Sequence, residues 1–336
     1  AGGSEEELMP GVLPEFIPRY GFATILPEPE PVKVRAETRT ARLQFRQDSY
    51  KILPDFKDNR AELDEVSNSI LLVKQNEDVK ITGIYISGYA SPEGSMAHNL
   101  VLSENRAKAL AEYIGRHDDI PSDLLHVEWH GEDWAGFVRA LDNYPQLQGL
   151  DRIRELIAKY PDNQDYCELE IRKLEPAEIY ARLLNEVYPP LRRNEYKIEY
   201  NVRNFNLEEA RRMVSERPDL LSLQEMYKVA GSYEKGSADY ERVMETAARY
   251  FPEEPAVLND RALDALGRDD AAAAVGMLEG SGLTEKNPSL LNTLGVAYAR
   301  SGEMHEAERT FRRAAEQGSD EARRNLEQIR QVIDQL

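Results

Sequence analysis

Cysteine is almost missing from this chain of 336 residues, which contains Cys167 alone. A single thiol forms no disulfide within the chain, and metal sites built from pairs of cysteines are excluded as well. Cys167 falls in a stretch with helical character, where a packed and chemically inert thiol is the favoured interpretation.

Basic residues are scarce relative to acidic ones. The chain has 42 lysines and arginines against 61 aspartates and glutamates, which gives a net charge of −19. Nucleic acids and anionic membranes both attract clustered positive charge, so the composition argues against both as partners. The chain also lacks any apolar run of about 18 residues, which predicts that no segment spans a membrane. We interpret the acidity as a surface that keeps the protein soluble.

The sequence lacks the residue arrangements that are typical of catalysis. Its five histidines are His98, His117, His126, His130 and His305. His126 and His130 lie four residues apart in a predicted strand, and the helical zinc signature is absent. No nucleophile elbow surrounds Ser91, and no glycine-rich phosphate loop is present. We therefore predict a protein that is not an enzyme and that holds no metal and no cofactor.

Residues 1–35 form a predicted N-terminal arm that is rich in proline and glutamate. Proline favours an extended backbone without regular hydrogen bonds. The arm contains more apolar residues than a solvated linker needs, namely Phe16, Ile17, Tyr20, Phe22 and Ile25. Part of it is therefore expected to lie against a domain surface. The chain begins Ala-Gly-Gly without methionine, which suggests a processed start and is compatible with a removed signal peptide.

A mixed α/β domain is predicted over residues 36–204. Its first strand is indicated by alternation between residues 32 and 45, and a helix with one apolar face follows from about Asp58. The next elements continue a β-α-β-α-β order: a strand at 79–88, a helix at 95–116 and a strand near 125–129.

A helical insertion of roughly 50 residues interrupts this domain before its closing strand. Prolines separate its helical pieces between about 135 and 190. After the insertion, apolar and polar residues alternate strictly from Tyr196 to Val202, which is typical of a strand.

From residue 206 to residue 336 the chain shows helical periodicity and no convincing strand. Its clearest unit, at 291–314, resembles a tetratricopeptide repeat, and similar spacing recurs at 229–251 and more weakly at 258–274. The resemblance implies stacked pairs of antiparallel helices with a concave face where a peptide could bind, and the helix at 320–335 would cap the stack. The predicted fold class is therefore α+β, with an α/β domain followed by an all-α repeat domain.

The stretch from Ile81 to Ile114 is the most informative part of the sequence. It reads as a strand, a turn at Ser91-Pro92-Glu93-Gly94 and an amphipathic helix. The apolar positions assigned to the buried face of that helix are Leu100, Ala107, Leu110, Ala111 and Ile114.

A family motif is visible within this stretch. Gly88 at a strand end, Gly94, Asn99, Leu102-Ser103 and Arg106-Ala107 resemble the motif of the peptidoglycan-binding domain found at the C-terminus of outer-membrane protein A and its relatives. In that family the strand ends in Gly-x-Thr-Asp, whereas this chain has Ser91 at the aspartate position.

In the resembled family the motif arginine and aspartate hold the carboxylate and the ammonium of a peptidoglycan diamino acid. The resemblance gives Arg106 the carboxylate role, because a guanidinium matches a carboxylate in a planar fork. Ser91 cannot neutralise an amine, and Glu93 is a possible substitute. The alternative is that Arg106 only braces the turn or pairs with Glu93.

Three further residues complete the predicted site. The helix that starts after Gly94 offers backbone N–H groups to an anion, and Asn99 is interpreted as a brace of the loop rather than as a ligand contact. Arg192, in an arginine pair before the last strand, resembles a further family feature. The candidate ligand-binding residues are thus Ser91, Glu93, Gly94, Asn99, Arg106 and Arg192.

Together, the two modules resemble a group of exported envelope proteins of anaerobic Gram-negative bacteria. We predict a non-catalytic adaptor, in the periplasm or at the outer membrane, whose OmpA-like domain binds peptidoglycan or an envelope partner and whose repeats bind a protein. The alternative is a scaffold or assembly factor for surface or outer-membrane structures that has lost peptidoglycan binding.

Overall fold

The computed structural model describes residues 15–46 and 49–336. Within them the chain forms two compact units. One unit consists of residues 32–204, and the other combines residues 15–31 with residues 205–336. The mixed α+β fold class predicted from the sequence is confirmed, with one four-stranded sheet and a largely helical C-terminal part.

The first unit is built on a sheet with the strand order β1-β4-β2-β3. β2 and β3 are parallel, whereas β4 lies between β1 and β2 and is antiparallel to both. In the register, Tyr85 of β2 lies opposite His126 of β3 and opposite Lys197 of β4. The strands are β1 (Lys33–Ala41), β2 (Val79–Ala90), β3 (Leu125–Glu132) and β4 (Arg193–Val202).

Two helices, α1 (Asn59–Lys74) and α2 (Met96–His117), contribute their apolar sides to the core of this unit. Ile84, Ile86 and Ile198 of the sheet and Leu63, Ile70, Leu110 and Ile114 of the helices are almost completely buried. Gly88 makes a close approach of α2 to β2 possible, because a Cβ there would lie 2.3 Å from the backbone oxygen of Ser103. The glycine at the end of the predicted strand is thus explained by packing.

Two details of the sequence-based prediction were wrong. β1 ends at Ala41, so the alternation up to residue 45 overstates the strand. Leu100 is 45% exposed instead of buried. The first two turns of α2 bury the polar residues Asn99 and Ser103, and the Ser103 hydroxyl accepts a hydrogen bond from the Gly131 amide at 3.0 Å. Polar contacts with β3 and with the residues between β2 and α2 therefore determine which side of the first turns of α2 is buried.

The insertion has a hydrophobic core of its own, which includes Phe137, Leu141, Ile153 and Ile171. A buried carboxylate lies in the same cluster, because Glu168 accepts hydrogen bonds from the hydroxyls of Tyr180 and Tyr188. Its helices are α3 (Trp134–Leu141), α4 (Leu150–Lys159), α5 (Gln164–Arg172) and α6 (Glu178–Arg182), and α6 continues as a π-helical turn over Leu183–Val187.

The C-terminal part of the second unit consists of eight helices in the described residues, and their packing is consistent with the predicted repeats. Capping boxes at Asn206 and Ser222 define the starts of its first two helices. The helices are α7 (Leu207–Glu216), α8 (Leu223–Gly231), α9 (Ala238–Tyr250), α10 (Pro255–Gly267), α11 (Ala271–Glu279), α12 (Pro288–Arg300), α13 (Met304–Glu316) and α14 (Asp320–Asp334).

None of the helices in the described ranges combines the length and the apolar composition that crossing a membrane requires.

Candidate functional site

The candidate site is the bend between β2 and α2, formed by Ser91, Pro92, Glu93 and Gly94. Ser91 is only 4% exposed, and Gly94 has a φ of +94°, a backbone conformation that favours glycine. Ser95 then caps α2 by accepting a hydrogen bond from the amide of His98. The turn predicted from the sequence thus lies at the N-terminus of α2.

Arg192 is the arginine that binds the bend. Its Nε donates to the Ser91 hydroxyl oxygen at 3.0 Å, and its Nη2 donates to the Glu93 carboxylate at 2.6 Å. The side chains of Arg192 and Glu93 are 38% and 46% exposed, so this ion pair is partly solvated. The sequence analysis left open whether Arg106 pairs with Glu93. In the structure, Arg192 forms an ion pair with Glu93.

Asn99 joins the bend to the end of β3. Its side-chain amide donates to the backbone oxygens of Glu93 at 2.7 Å and Ser91 at 3.3 Å, and to the Glu132 carboxylate at 2.7 Å. Trp134 donates its indole N–H to the other oxygen of Glu132 at 2.8 Å. Burial raises the pKa of Glu132, and the two donors act in the opposite direction. Asn99 thus connects the backbone of the bend to the side chain of Glu132.

The N-terminus of α2 is bound by a carboxylate of the chain itself. Asp165, in the first turn of α5, accepts a hydrogen bond from the Met96 amide at 2.9 Å. A carboxylate at this place stabilises the helix through the positive end of its dipole. The sequence offers the N–H groups after Gly94 to an anion. In the structure, the carboxylate of Asp165, from the insertion, binds one of them.

The guanidinium group of Arg106 lies with one face over an aromatic ring. Its guanidinium carbon is 4.7 Å from the centroid of Phe45, which follows β1. This stacking is a cation–π contact that orients the side chain. The hydrogen bonds from a guanidinium to Ser91 and Glu93 come from Arg192, so the two arginines of the predicted site occupy separate places.

Arg193 is oriented toward the sheet. Its guanidinium donates to Asp133 at 2.9 Å and to Glu195 at 3.0 Å, and it lies 4.2 Å from the ring centroid of Tyr89. Tyr89 in turn stacks on His130 at 4.8 Å. Arg192 thus contacts the bend, whereas Arg193, the first residue of β4, contacts side chains along the sheet.

Sequence reasoning missed three residues of this site: Glu132, Trp134 and Asp165. Glu132 and Trp134 flank the junction of β3 and α3, and Asp165 comes from the insertion. No local pattern connects these positions to the bend, because only the tertiary fold brings them to it. In the part of the chain that the structure describes, no cluster of three or more His, Cys, Asp or Glu side chains could hold a metal ion.

The first unit thus has the order β1-α1-β2-α2-β3, followed by the insertion and by the antiparallel strand β4. Residues 44–138 match the model of the OmpA family. A stretch of 54 residues, 16% of this chain, is 41% identical to Outer membrane protein 41 of Porphyromonas gingivalis. Residues 44–138 therefore belong to an OmpA-family domain, as the motif predicted.

The matches cover limited parts of the proteins concerned. The stretch shared with Outer membrane protein 41 spans 14% of that protein's length. The OmpA-like domain of FopA1 from Francisella tularensis subsp. tularensis SCHU S4 is matched over its full length and 56% of this chain, at 13% identity and a TM-score of 0.27.

Proposed function

We propose that this chain is a non-catalytic scaffold of the cell envelope, in which the OmpA-like domain no longer depends on peptidoglycan. The observation that carries the proposal is the closed state of the bend. Arg192 binds Ser91 and Glu93, and Asp165 binds the start of α2. The Ser91 hydroxyl, the Glu93 carboxylate and the first amide of α2, which could receive a stem peptide, are thus engaged with side chains of the same domain.

The loss of the acidic residue acts in the same direction. A hydroxyl at position 91 can accept a hydrogen bond from an ammonium group but cannot form an ion pair with it, whereas a hydrogen bond between a carboxylate and an ammonium group contributes about 1.5–3 kcal/mol. This energy corresponds to roughly one to two orders of magnitude in affinity. Glu93 already pairs with Arg192, which neutralises part of its charge and weakens it as a replacement for the aspartate.

Peptidoglycan binding is the second candidate function, and one observation favours it. The Arg192–Glu93 pair is partly solvated, and exposed ion pairs of this kind contribute only about 0–1 kcal/mol, so a ligand could open it at low cost. Arg106 would then provide the carboxylate contact that the family resemblance implies.

Sedimentation with purified peptidoglycan separates the two candidates. The scaffold function predicts that the wild-type chain stays in the supernatant like an unrelated acidic protein. Retention that is lost in Arg106→Ala would contradict it. Arg116→Ala is the matched control, since Arg116 lies on the same helix and pairs with Glu112 at the surface.

The helical unit supplies the second part of the proposed function. We assign to it the binding of a protein partner, since stacked helix pairs present an extended concave surface. Cross-linking in envelope preparations, followed by identification of adducts to residues 205–336, would test this assignment.

A further inference from the structure

The helical unit already holds an extended segment, namely residues 15–31 of the same chain. Tyr20, Phe22 and Ile25 of this segment pack against the core that helices α10 to α14 share. The segment has no regular secondary structure. The backbone groups of an extended segment that belongs to no helix or sheet must form hydrogen bonds with side chains or with water.

Three asparagines satisfy several of those backbone groups. Asn259, Asn292 and Asn325 lie on α10, α12 and α14, and their positions recur at intervals of 33 in the sequence. The side-chain amides of Asn292 and Asn325 donate to the Gly21 oxygen at 3.0 and 2.9 Å, and that of Asn259 donates to the Ala23 oxygen at 3.3 Å. One residue type thus repeats with the helix pairs and faces one bound segment.

The orientation of these amides is fixed by bonds among the helices. The Oδ1 of Asn259 accepts from the Thr293 hydroxyl at 2.6 Å, and the Oδ1 of Asn292 accepts from Asn325 at 2.8 Å. Because the oxygens of Asn259 and Asn292 have their donors on a neighbouring helix, the amide N–H groups of these two residues face the bound segment. All three asparagines are at most 1% exposed. They form a row of preorganised donors for carbonyl oxygens.

Side chains of α14 also accept hydrogen bonds from N–H groups of the segment. The Gly21 amide donates to Asn325 at 2.8 Å, and the Arg19 amide donates to Gln328 at 2.7 Å while the Arg19 oxygen accepts from Gln328 at 2.9 Å. The contacted residues, Arg19, Gly21 and Ala23, alternate along the segment. This is the pattern of an extended peptide that is bound through its backbone.

The residues in between provide side-chain selectivity. The Tyr20 ring lies 5.7 Å from the ring of Phe311, and the Arg300 guanidinium lies 6.0 Å from the ring of Phe22. The Tyr20 hydroxyl is buried and makes no hydrogen bond within the described residues, so this pocket fits an aromatic ring rather than a tyrosine in particular.

We propose that this groove is an exchangeable binding site for an extended peptide with two aromatic residues in alternate positions, and that residues 19–23 are its resident competitor. A partner segment of this chemistry binds when the arm leaves. The proposal deepens the protein-binding role proposed above for the helical unit and rests on it.

The test uses the full chain and a labelled peptide of residues 17–26. Gly21→Pro displaces the arm, since the proline ring replaces the N–H that points at Asn325 from 2.8 Å. Gly21→Ala is the matched control, because a Cβ at this position meets its nearest atoms only at 4.0 Å. Fluorescence anisotropy measures binding of the peptide, and hydrogen exchange of the arm reports whether the arm has left.

We expect the Gly21→Pro chain to bind the peptide at least tenfold more tightly than the wild type and the Gly21→Ala chain. Adding Asn325→Ala to Gly21→Pro should weaken binding at least tenfold, whereas a Tyr20→Phe peptide should bind like the original. Equal binding with and without Asn325, or no binding after the arm has left, would overturn the proposal. An arm that stays protected in Gly21→Pro would overturn it too, because the backbone contacts would then not hold the segment.

Failure of this test is distinguishable from failure of the proposed function. If the helical unit cross-links to a partner while the peptide does not bind, the protein-binding role stands and the groove assignment is wrong. The peptidoglycan assay depends on neither result, because it concerns residues of the other unit.

Discussion

Replacing Glu168 by alanine should destabilise the insertion, because its carboxylate is the acceptor for two tyrosine hydroxyls. Glu168 is 1% exposed, and the Tyr188 hydroxyl donates to it at 2.6 Å while Tyr180 donates to the other oxygen. Tyr188 is itself completely buried. A buried donor without an acceptor costs about 1–3 kcal/mol, which applies in full to Tyr188 and only in part to Tyr180, whose hydrogen bond is partly buried. Removing a buried charge offsets part of this cost, and we expect a net loss of about 2 kcal/mol.

Urea denaturation followed by circular dichroism measures this loss, with Glu170→Ala as the matched control. Glu170 lies on the same helix but pairs with Lys173 at the surface, at 3.4 Å, so its removal should cost less than about 1 kcal/mol. If Glu168→Ala and Glu170→Ala unfold at the same urea concentration, the tyrosine hydroxyls do not depend on Glu168 and the reasoning is refuted.

The same carboxylate predicts a pH dependence with a defined sign. Burial raises the pKa of Glu168 above its ordinary value of 4.5, and the tyrosine donors and Arg172 oppose this shift. The folded state therefore keeps a proton that the unfolded chain has already released. The contribution of Glu168 to stability is complete below pH 4.5 and declines as the pH rises through the raised pKa. Glu168→Gln should remove this decline, and a wild-type chain with the same pH profile as the variant would contradict the assignment.

Three other predictions concern the remaining parts of the domain. Gly88→Ala should destabilise the first unit by about 1–3 kcal/mol in urea titrations, because the new Cβ collides with the Ser103 backbone oxygen. Cys167, whose pKa burial raises to about 11, should react with iodoacetamide at pH 8 about two orders of magnitude more slowly than a free cysteine until the insertion opens. Asp165→Asn should destabilise α2 by about 0.3–1 kcal/mol, and high salt should diminish the difference.

Periodic patterns predicted the elements of the fold well. The alternation in β4 gave its last residue and placed its start three residues late, and the apolar spacing gave α2 to within one residue at each end, because one face of each element is buried. The exceptions are places where a polar contact replaces burial. Leu100 is exposed because Asn99 and Ser103 occupy the inner side of the first turns of α2.

The partners within the bend could not be predicted from the sequence. Arg192 lies 101 residues from Ser91, and Asp165 lies 69 residues from Met96, so neither contact leaves a local signal. The family motif assigned Arg106 to the site, with pairing to Glu93 as one alternative, whereas the hydrogen bonds to Ser91 and Glu93 in the structure come from Arg192. The position of Arg192 depends on where the chain returns after the insertion.

The asparagine row was visible in the sequence and could have been found. Asn259, Asn292 and Asn325 are spaced at the period of the repeats, and a polar residue at a buried position of every unit needs a hydrogen-bond partner. What the sequence could not show is that the partner is the backbone of residues 21 and 23.

Because the groove is filled by a segment of the same chain, a partner must bind it with enough affinity to displace that segment. A tethered segment acts at an effective concentration on the order of millimolar. If the free segment bound with a dissociation constant of about 1 μM, the groove would be open in roughly one molecule in a thousand, and an equal external peptide would show an apparent constant of about 1 mM. A partner must therefore make contacts that the arm lacks. The exposed Leu26 and Ile17, which flank the bound residues, show that the arm leaves apolar surface of its own unused. A partner that buries comparable side chains against the helices would gain the energy needed to replace it.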